Sequence, residues 1–325
     1  MTAVSPRLLE VDLEVERRQV NVAACFALEA GDRLAIFGTS GAGKTTILES
    51  IAGLTRLKRG AIRVDGQLVA GKVKGEPALQ PRHRQVALVR QPTTLFPHLT
   101  VEQNVGYGVR HSSPREKVAE LLERLGLTVL ARARGAALSG GQRQRVALGR
   151  ALASSFRVLL LDEPLSAVDV AARASLRQLT IEASADRGAA GILVTHDLTE
   201  AQAYSDRLGI FDSGQLLQMG GSLEVVLSPA SRRVAELVGY GGFVRSELRT
   251  DRFYAIHPDR VLPGALFDRG VVLKGSVLST RPYGARYECT VAERSGEQFT
   301  VHLDSPFVAG VECTITAIEP PLVEG

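Results

Sequence analysis

Long apolar runs are missing from this chain. No stretch of its 325 residues approaches the ~20 consecutive apolar positions that a membrane-spanning helix requires, which excludes a helical membrane role. Nor does the N-terminus combine a basic start with an apolar segment of signal-peptide length, so the chain is expected to stay in the cytoplasm. Cysteine is scarce: Cys25, Cys289 and Cys313 lie far apart and show no metal-ligand spacing. That argues against a cysteine metal site and predicts buried thiols in a reducing compartment. A strong charge of either sign is absent too. Lys and Arg number 39 against 35 Asp and Glu, and the resulting +4 is too small and too dispersed to argue for a nucleic-acid partner.

The composition that remains is that of an ordinary folded chain, with 45% hydrophobic and 23% charged residues. Its length predicts two units. The opening segment LLEVDLEVERRQVNVAACFALEAGDRLAIFG alternates apolar and polar residues in short runs, the pattern of an antiparallel strand pair followed by a buried strand at Arg33–Phe37. The period then changes, with Ile47, Leu48, Ile51 and Leu54 spaced for one face of a helix. Short strands with glycine turns are expected from 60 to 89, and a helical region over 100–125 in which Pro114, after Ser113, suits a first turn. A helix is expected over 142–154, an almost continuous aliphatic strand over 156–161, a helix at Val170–Ala185, a buried strand over 191–195 and a helix from Leu198. Continuous aliphatic strands need cover on both faces, which implies a mainly parallel sheet between helices. At the glycine cluster 239–242 the composition shifts to valine, threonine and glycine turns, and alternating runs at 271–278, 285–292 and 298–303 read as a small β barrel or sandwich.

Residues 38–45, GTSGAGKT, match G-x-x-x-x-G-K-S/T between the buried strand and the helix. In that context the backbone N–H groups of Gly38, Thr39, Ser40, Gly41, Ala42 and Gly43 and the helix N-terminus, with Thr46 just beyond, face phosphate oxygens. Lys44 is expected to reach the β and γ phosphates, and Thr45 to offer its hydroxyl to Mg²⁺. The aliphatic strand ends in Asp162-Glu163-Pro164. Asp162, at the edge where parallel sheets place ligands, is a candidate for holding Mg²⁺ through its water shell. Glu163 is the candidate for polarising an attacking water. His196, after a buried strand, reads either as a surface residue or as a γ-phosphate sensor that positions Glu163. The Gln91 amide is able to contact Mg²⁺ or water.

A second glycine-rich segment, LSGGQRQR at 138–145, lies well downstream of the first. The ordered set of phosphate loop, Gln91, LSGGQ, LLLDEP, the SAVD segment at 166–169 and His196 resembles the ATP-binding cassette family over approximately residues 8–235. That resemblance implies ATP and Mg²⁺ as ligands and ATP hydrolysis as the activity. It implies a head-to-tail pair of identical chains, in which Ser139, Gly140, Gly141 and Gln142 close over the nucleotide held by the partner and Asp169 couples the two sites. Val168 stands where the family usually has leucine, and no aromatic residue precedes the phosphate loop within the first fifteen positions to stack on adenine.

Residues 90–101, RQPTTLFPHLTV, resemble the loop of bacterial import cassettes. That likeness implies a dock for two transmembrane permease subunits at residues 95–99, with Leu95, Phe96 and Leu99; the alternative is that these side chains are simply core. An external solute-binding protein would act indirectly, and the chain would sit on the cytoplasmic face of the inner membrane. The expected fold is α/β: a RecA-like phosphate-loop cassette with antiparallel β and helical subdomains over 1–238, the helical part at about 92–155, then an all-β OB-like barrel of the TOBE or MOP type over 239–325. Within the importers the nearest resemblance is to the ATPases of molybdate import, through IFGTSGAGKTTILESIAGLTRLKRGAIRVDG, PRHRQVALVRQ and Leu273-Lys274-Gly275-Ser276-Val277. Ferric ion, sulfate, polyamine or sugar import, or a non-transport ATPase of the same family, remain the alternatives.

Overall fold

A computed structural model describes residues 7–17, 20–71, 78–109, 114–246, 252–266, 268, 270–293 and 296–324. Two compact units form, Met1–Met219 and Gly220–Gly325. The first is built on one ten-stranded sheet. Strands β1 (Arg7–Glu16) and β2 (Asn21–Glu29) pair antiparallel, and their alternation buries Leu9, Val11, Leu13 and Val15 on one and Val22, Ala24, Phe26 and Leu28 on the other. Strand β3 (Arg33–Phe37) follows, then helix α1 (Lys44–Ala52), the hairpin β4 (Arg59–Val64) and β5 (Gln67–Gly71), and β6 (Val86–Val89).

Helices α2 (Val101–Gly106), α3 (Pro114–Arg124) and α4 (Gly140–Ala153) come next. Strand β7 (Val158–Asp162), helix α5 (Val170–Ala185), β8 (Ala190–Thr195), helix α6 (Leu198–Tyr204), β9 (Arg207–Asp212) and β10 (Gln215–Gly221) complete the sheet. Its order is β5-β4-β1-β2-β10-β9-β3-β8-β7-β6. The pairs β9/β3, β3/β8, β8/β7 and β7/β6 are all parallel, as the aliphatic runs require: every residue of β7 and β8 is buried.

Local detail departs from the sequence expectation at several points. Leu54 is not on the buried helix face but half exposed, because α1 stops at Ala52 and Gly53 turns left-handed with φ 85° while its N–H closes on Glu49 and Ser50 carbonyls. The helical stretch 100–125 is two helices. Thr100 caps α2 through a reciprocal capping box with Gln103, and Gly108 beyond it packs so closely on α4 that a Cβ there would lie 2.8 Å from the Arg150 carbonyl oxygen. Pro114 opens α3, while Ser113 lies outside the described residues. Helix α4 begins at Gly140, ahead of the expected Gln142, because Ser139 supplies the cap. Phe156 precedes β7 rather than joining it, and its ring carries the Arg187 guanidinium 4.8 Å from its centroid.

One buried cation was not foreseen. Arg84, 6% exposed, donates to the carbonyls of Ser50 and Ile51 at 3.0 Å each and of Leu79 at 3.1 Å, neutralising the C-terminal end of α1. Burial holds its pKa below the usual value. Gly53 leaves room for it, since a Cβ there would meet Arg84 Cζ at 2.5 Å. Arg84→Met is expected to lower unfolding free energy by about 2–3 kcal/mol, because helix-end carbonyls lose charged donors in a dry site. Urea denaturation checks this, and an unchanged midpoint would contradict it.

The second unit carries helices α7 (Ser222–Leu227) and α8 (Arg232–Leu237) and strands β11 (Gly242–Arg245), β12 (Arg252–Ile256), β13 (Val261–Pro263), β14 (Gly270–Tyr283), β15 (Arg286–Glu293), β16 (Gln298–Leu303), β17 (Glu312–Ile318) and β18 (Leu322–Glu324). A five-stranded antiparallel sheet, β13-β17-β14-β15-β16, curves into a half-barrel, and a three-stranded sheet, β11-β12-β18, shares its core through Val244 and Ile256. The division at Gly220 falls ahead of the glycine cluster at 239–242, so both short helices lie with the β-rich unit. The cysteines correct the expectation of buried thiols: all are free, Cys289 is buried, Cys313 is half-buried and Cys25 is exposed, because it faces outward between Ala24 and Phe26 on β2. Among the described residues no helix is long and apolar enough to cross a membrane.

Candidate functional site

Parallel pairing aligns the C-terminal ends of five strands, with Val89 opposite Leu161, Asp162 opposite Val194, Phe37 opposite Thr195, and Phe37 opposite Ile210. The residues that follow those ends therefore meet along one edge of the sheet, where open α/β sheets bind ligands. The loop after β3 runs from Gly38 to Gly43. Gly41 and Gly43 take positive φ, 81° and 105°, which orients the backbone N–H groups at the start of α1. Lys44 is 6% exposed and its ammonium folds back onto the loop, donating to the carbonyls of Gly38 at 2.8 Å and Thr39 at 2.7 Å. Burial lowers its pKa, while the Glu163 and Asp162 carboxylates oppose that shift.

Thr45 donates its hydroxyl to both Asp162 oxygens at 3.0 and 3.1 Å. Burial raises the Asp162 pKa, and neighbouring Glu163 adds to the rise; the Thr45 hydrogen bond, Lys44 and the Gln91 backbone work against it. A hydroxyl and a carboxylate this close, below a nest of amides, form the donor set by which Mg²⁺ is held with substrate phosphates, keeping several of its waters. Among the described residues there is no cluster of three or more His, Cys, Asp or Glu suited to hold a metal by itself. The residues present thus fit a metal that arrives with a phosphorylated ligand.

Glu163 departs from the strand that precedes it. Its φ of 45° is left-handed, a conformation that costs a non-glycine residue about 1–3 kcal/mol and persists only when its surroundings enforce it. Its N–H donates to the Val194 carbonyl at 3.0 Å. Its carboxylate meets His196 Nδ1 at 2.8 Å. The turn that presents His196 is held by Thr195, whose hydroxyl donates to Glu200 at 2.6 Å and accepts from the Asp197 N–H at 3.1 Å. Burial raises the Glu200 pKa, against that hydrogen bond.

Gln91 follows β6 by two residues and directs its amide to the Ser166 hydroxyl at 3.3 Å. Gly38–Thr46, Asp162, Glu163 and His196 thus gather along one edge, with Gln91 beside them. The glycine-rich segment 139–142 heads α4. Ser139 is exposed and caps α4, accepting from the Gln142 N–H at 3.2 Å while the Gln142 side chain accepts from its own N–H at 2.8 Å. Gly140 and Gly141 face Ala167, whereas Gly41 has open space around it. Asp169 caps α5 by accepting from Ala172 N–H at 2.9 Å.

Sequence spacing left several contributors unseen. Asp212, at the end of β9, accepts from the Thr39 hydroxyl at 3.0 Å, and Gly214 N–H donates to the Ala42 carbonyl at 2.9 Å, so the β9–β10 turn braces the phosphate loop from 173 positions away. Phe26, on β2, is 7% exposed in the sheet core and not free to stack on a base. Leu95, Phe96 and Leu99 are half-buried rather than core. Phe96 lies 4.4 Å, centroid to centroid, from the tilted ring of Tyr107, itself 67% exposed, and carries the Arg150 guanidinium 4.9 Å from its centroid.

Residues 23–166 match the family model described as ABC transporter. The chain is 42% identical over 225 residues to the Fe(3+) ions import ATP-binding protein FbpC of Pseudomonas fluorescens, covering 68% of this chain and 63% of that protein. It is 40% identical over 240 residues to the sulfate/thiosulfate import ATP-binding protein CysA 2 of Chromobacterium violaceum, covering 72% of this chain and 63% of that one. The chain thus spans less than two thirds of the length of these relatives. A solved ATP-binding subunit of an ABC transporter is 29% identical with a TM-score of 0.59, over 71% of this chain and 95% of that one. Shared sequence and shared fold agree with the direct match: over residues 23–166 this chain is similar to the ABC transporter family.

Proposed function

We propose that the chain hydrolyses Mg-ATP and serves as the ATPase subunit of an import complex. The observation that carries this reading is the meeting, on one sheet edge, of a glycine-lined anion loop, a buried Asp162 bonded to the hydroxyl of the exposed Thr45, and a left-handed Glu163 joined to His196. Gly38 to Thr46 would bind the phosphates, with Lys44 exchanging its loop carbonyls for phosphate oxygens. Thr45 and Asp162 would hold Mg²⁺, which when bound neutralises phosphate charge; Gln91, now on Ser166, would turn to complete that shell. Glu163 orients and polarises the attacking water, and His196 holds the Glu163 carboxylate in place.

The exposed signature at the head of α4 supports a head-to-tail pair of chains. Within the cap the Ser139 oxygen accepts one hydrogen bond, from the Gln142 N–H, which leaves its O–H to donate to a partner's nucleotide, and the fourteen-residue helix behind it favours an anion there. Asp169 at the head of α5 would couple the two sites. Ser139→Arg is expected to leave Mg-ATP binding within about threefold, abolish nucleotide-dependent dimerisation and lower turnover at least tenfold, on the order of the loss of one transition-state donor. Sedimentation with and without Mg-ATP reads this out; a variant that still dimerises would rule out the trans contact.

Phe96, Tyr107 and Arg150 offer an aromatic and cationic patch beside Gln91, suited to a short helix from each of two permease subunits, with a solute-binding protein acting on the far side of the membrane. The cassette would then lie on the cytoplasmic face of the inner membrane. The relatives named above import ferric ion and sulfate or thiosulfate at nearly equal identity. Cargo is read as a solute of the wider importer group, in place of molybdate alone. Uptake by cells lacking the protein, with ferric ion, sulfate, molybdate, polyamine and sugar compared, tests it: a defect confined to molybdate would restore the narrower reading, and no defect in the uptake of any of them would overturn import.

A further inference from the structure

Gln144 has no part in the chemistry described so far, yet it is 5% exposed and makes three side-chain hydrogen bonds. Its Nε2 donates to the Ser166 hydroxyl at 2.9 Å and to the Glu163 carbonyl at 3.3 Å, and its Oε1 accepts from the Ala167 N–H at 2.8 Å. All three partners lie on the strap that leaves β7 at Glu163 and enters α5. Gln144 itself comes from α4, one turn beyond Ser139.

The same strap receives other ties. Ser166 donates its hydroxyl to the Glu163 carbonyl at 3.1 Å, and Gln91 reaches that hydroxyl at 3.3 Å. Gly141 approaches so closely that a Cβ there would lie 2.6 Å from the Ala167 carbonyl oxygen. The left-handed Glu163 backbone thus has its carbonyl held by Gln144 directly and by the Ser166 hydroxyl that Gln144 also meets. A buried amide with both ends satisfied is a rigid link, because breaking either end strands a polar group away from water.

We propose that Gln144 is a positioning residue: it fixes the Glu163 carboxylate through the backbone of its strap and ties that strap to the signature helix, so that engagement of Ser139 by a partner's nucleotide is felt at this chain's own base. The inference rests on the ATPase reading above. It assigns to one side chain the mechanical link between the half-site a chain lends and the half-site it uses. Gln91 enters the same junction through Ser166, which puts the proposed permease dock on that link as well.

The test is steady-state ATP hydrolysis and Mg-ATP binding by the full chain with Gln144→Leu, Gln144→Glu, Ser166→Ala and the Leu/Ala double variant. Gln144→Leu is expected to lower kcat about tenfold with nucleotide affinity held within about twofold, the pattern of a lost transition-state geometry rather than a lost binding contact. Gln144→Glu keeps the length and the acceptor but has no donor, and should not rescue. The double variant should lose little more than Gln144→Leu alone, since both act on one carbonyl. A merely structural role would lower thermal stability and nucleotide affinity while leaving kcat per folded molecule intact, and that result overturns the proposal. So does multiplication of the two single effects. Should Gln144→Leu fail to fold, Ser166→Ala, at an exposed position, carries the same kcat test alone. A wild-type chain that hydrolyses no ATP would sink the underlying reading, whereas an active wild type with equally active variants sinks only this one.

Discussion

Glu163→Gln is expected to reduce ATP turnover by about 10²–10⁴-fold, the range a positioned general base contributes, while Mg-ATP binding is kept. The substitution preserves volume and the left-handed backbone, whose N–H still donates to Val194 and whose carbonyl still accepts from Gln144 and Ser166. What it removes is the charge that meets His196 at 2.8 Å and lies near Lys44. The loss therefore belongs to chemistry and not to folding. Because hydrolysis would part the two chains, the stalled variant should accumulate as a nucleotide-bound dimer, visible by light scattering at saturating Mg-ATP. Turnover at the parental rate by E163Q would move the base to another residue, and the Glu163–His196 pair would then be a structural contact only.

A second large effect is expected at Gly38. A methyl group added there would lie 1.8 Å from the Phe211 carbonyl oxygen, a backbone atom of β9 that cannot swing aside as a flexible side chain could. Gly38→Ala must therefore push the phosphate loop away from the sheet or part β9 from β3. We expect a stability loss of about 3 kcal/mol or more, at or above the upper end for overpacking, together with loss of nucleotide binding. Gly41→Ala is the informative contrast. Its Cβ would meet nothing within 4 Å, but its φ of 81° disfavours a side chain, so its cost should be about 1 kcal/mol from backbone strain alone. Thermal melts and nucleotide titrations of the two variants separate collision from strain; equal costs would deny the close approach of loop and β9.

The individual elements were largely open to reading from residue order. Alternation in β1 and β2, the aliphatic runs of β7 and β8, and the glycine turn between β3 and α1 each express local rules of strand pleat, burial and φ, and those rules act over a few neighbours. Where a distant partner intervenes, the reading failed. Leu54 was assigned to a helix face that Gly53 and Arg84 cut short, and 100–125 was joined into one helix although Gly108 packs on α4. The outward register of Cys25 was already implicit in the alternation of β2, and only the expectation of buried thiols concealed it.

The phosphate-loop pattern and the acidic end of β7 are written in contiguous residue types, whereas the expected role of the segment at 138–145 rested on resemblance to a family. Cargo did not emerge from either level, since a cassette that binds nucleotide is under no demand to recognise the solute. The brace of Asp212 on Thr39, the burial that shifts Lys44 and Asp162, the left-handed turn at Glu163 and the Gln144 link all had to wait for the folded chain. They join segments from 19 to 173 positions apart, and no local preference of either segment specifies the other: only the parallel register of the sheet and the packing of α4 on the strap after β7 bring them within hydrogen-bonding distance.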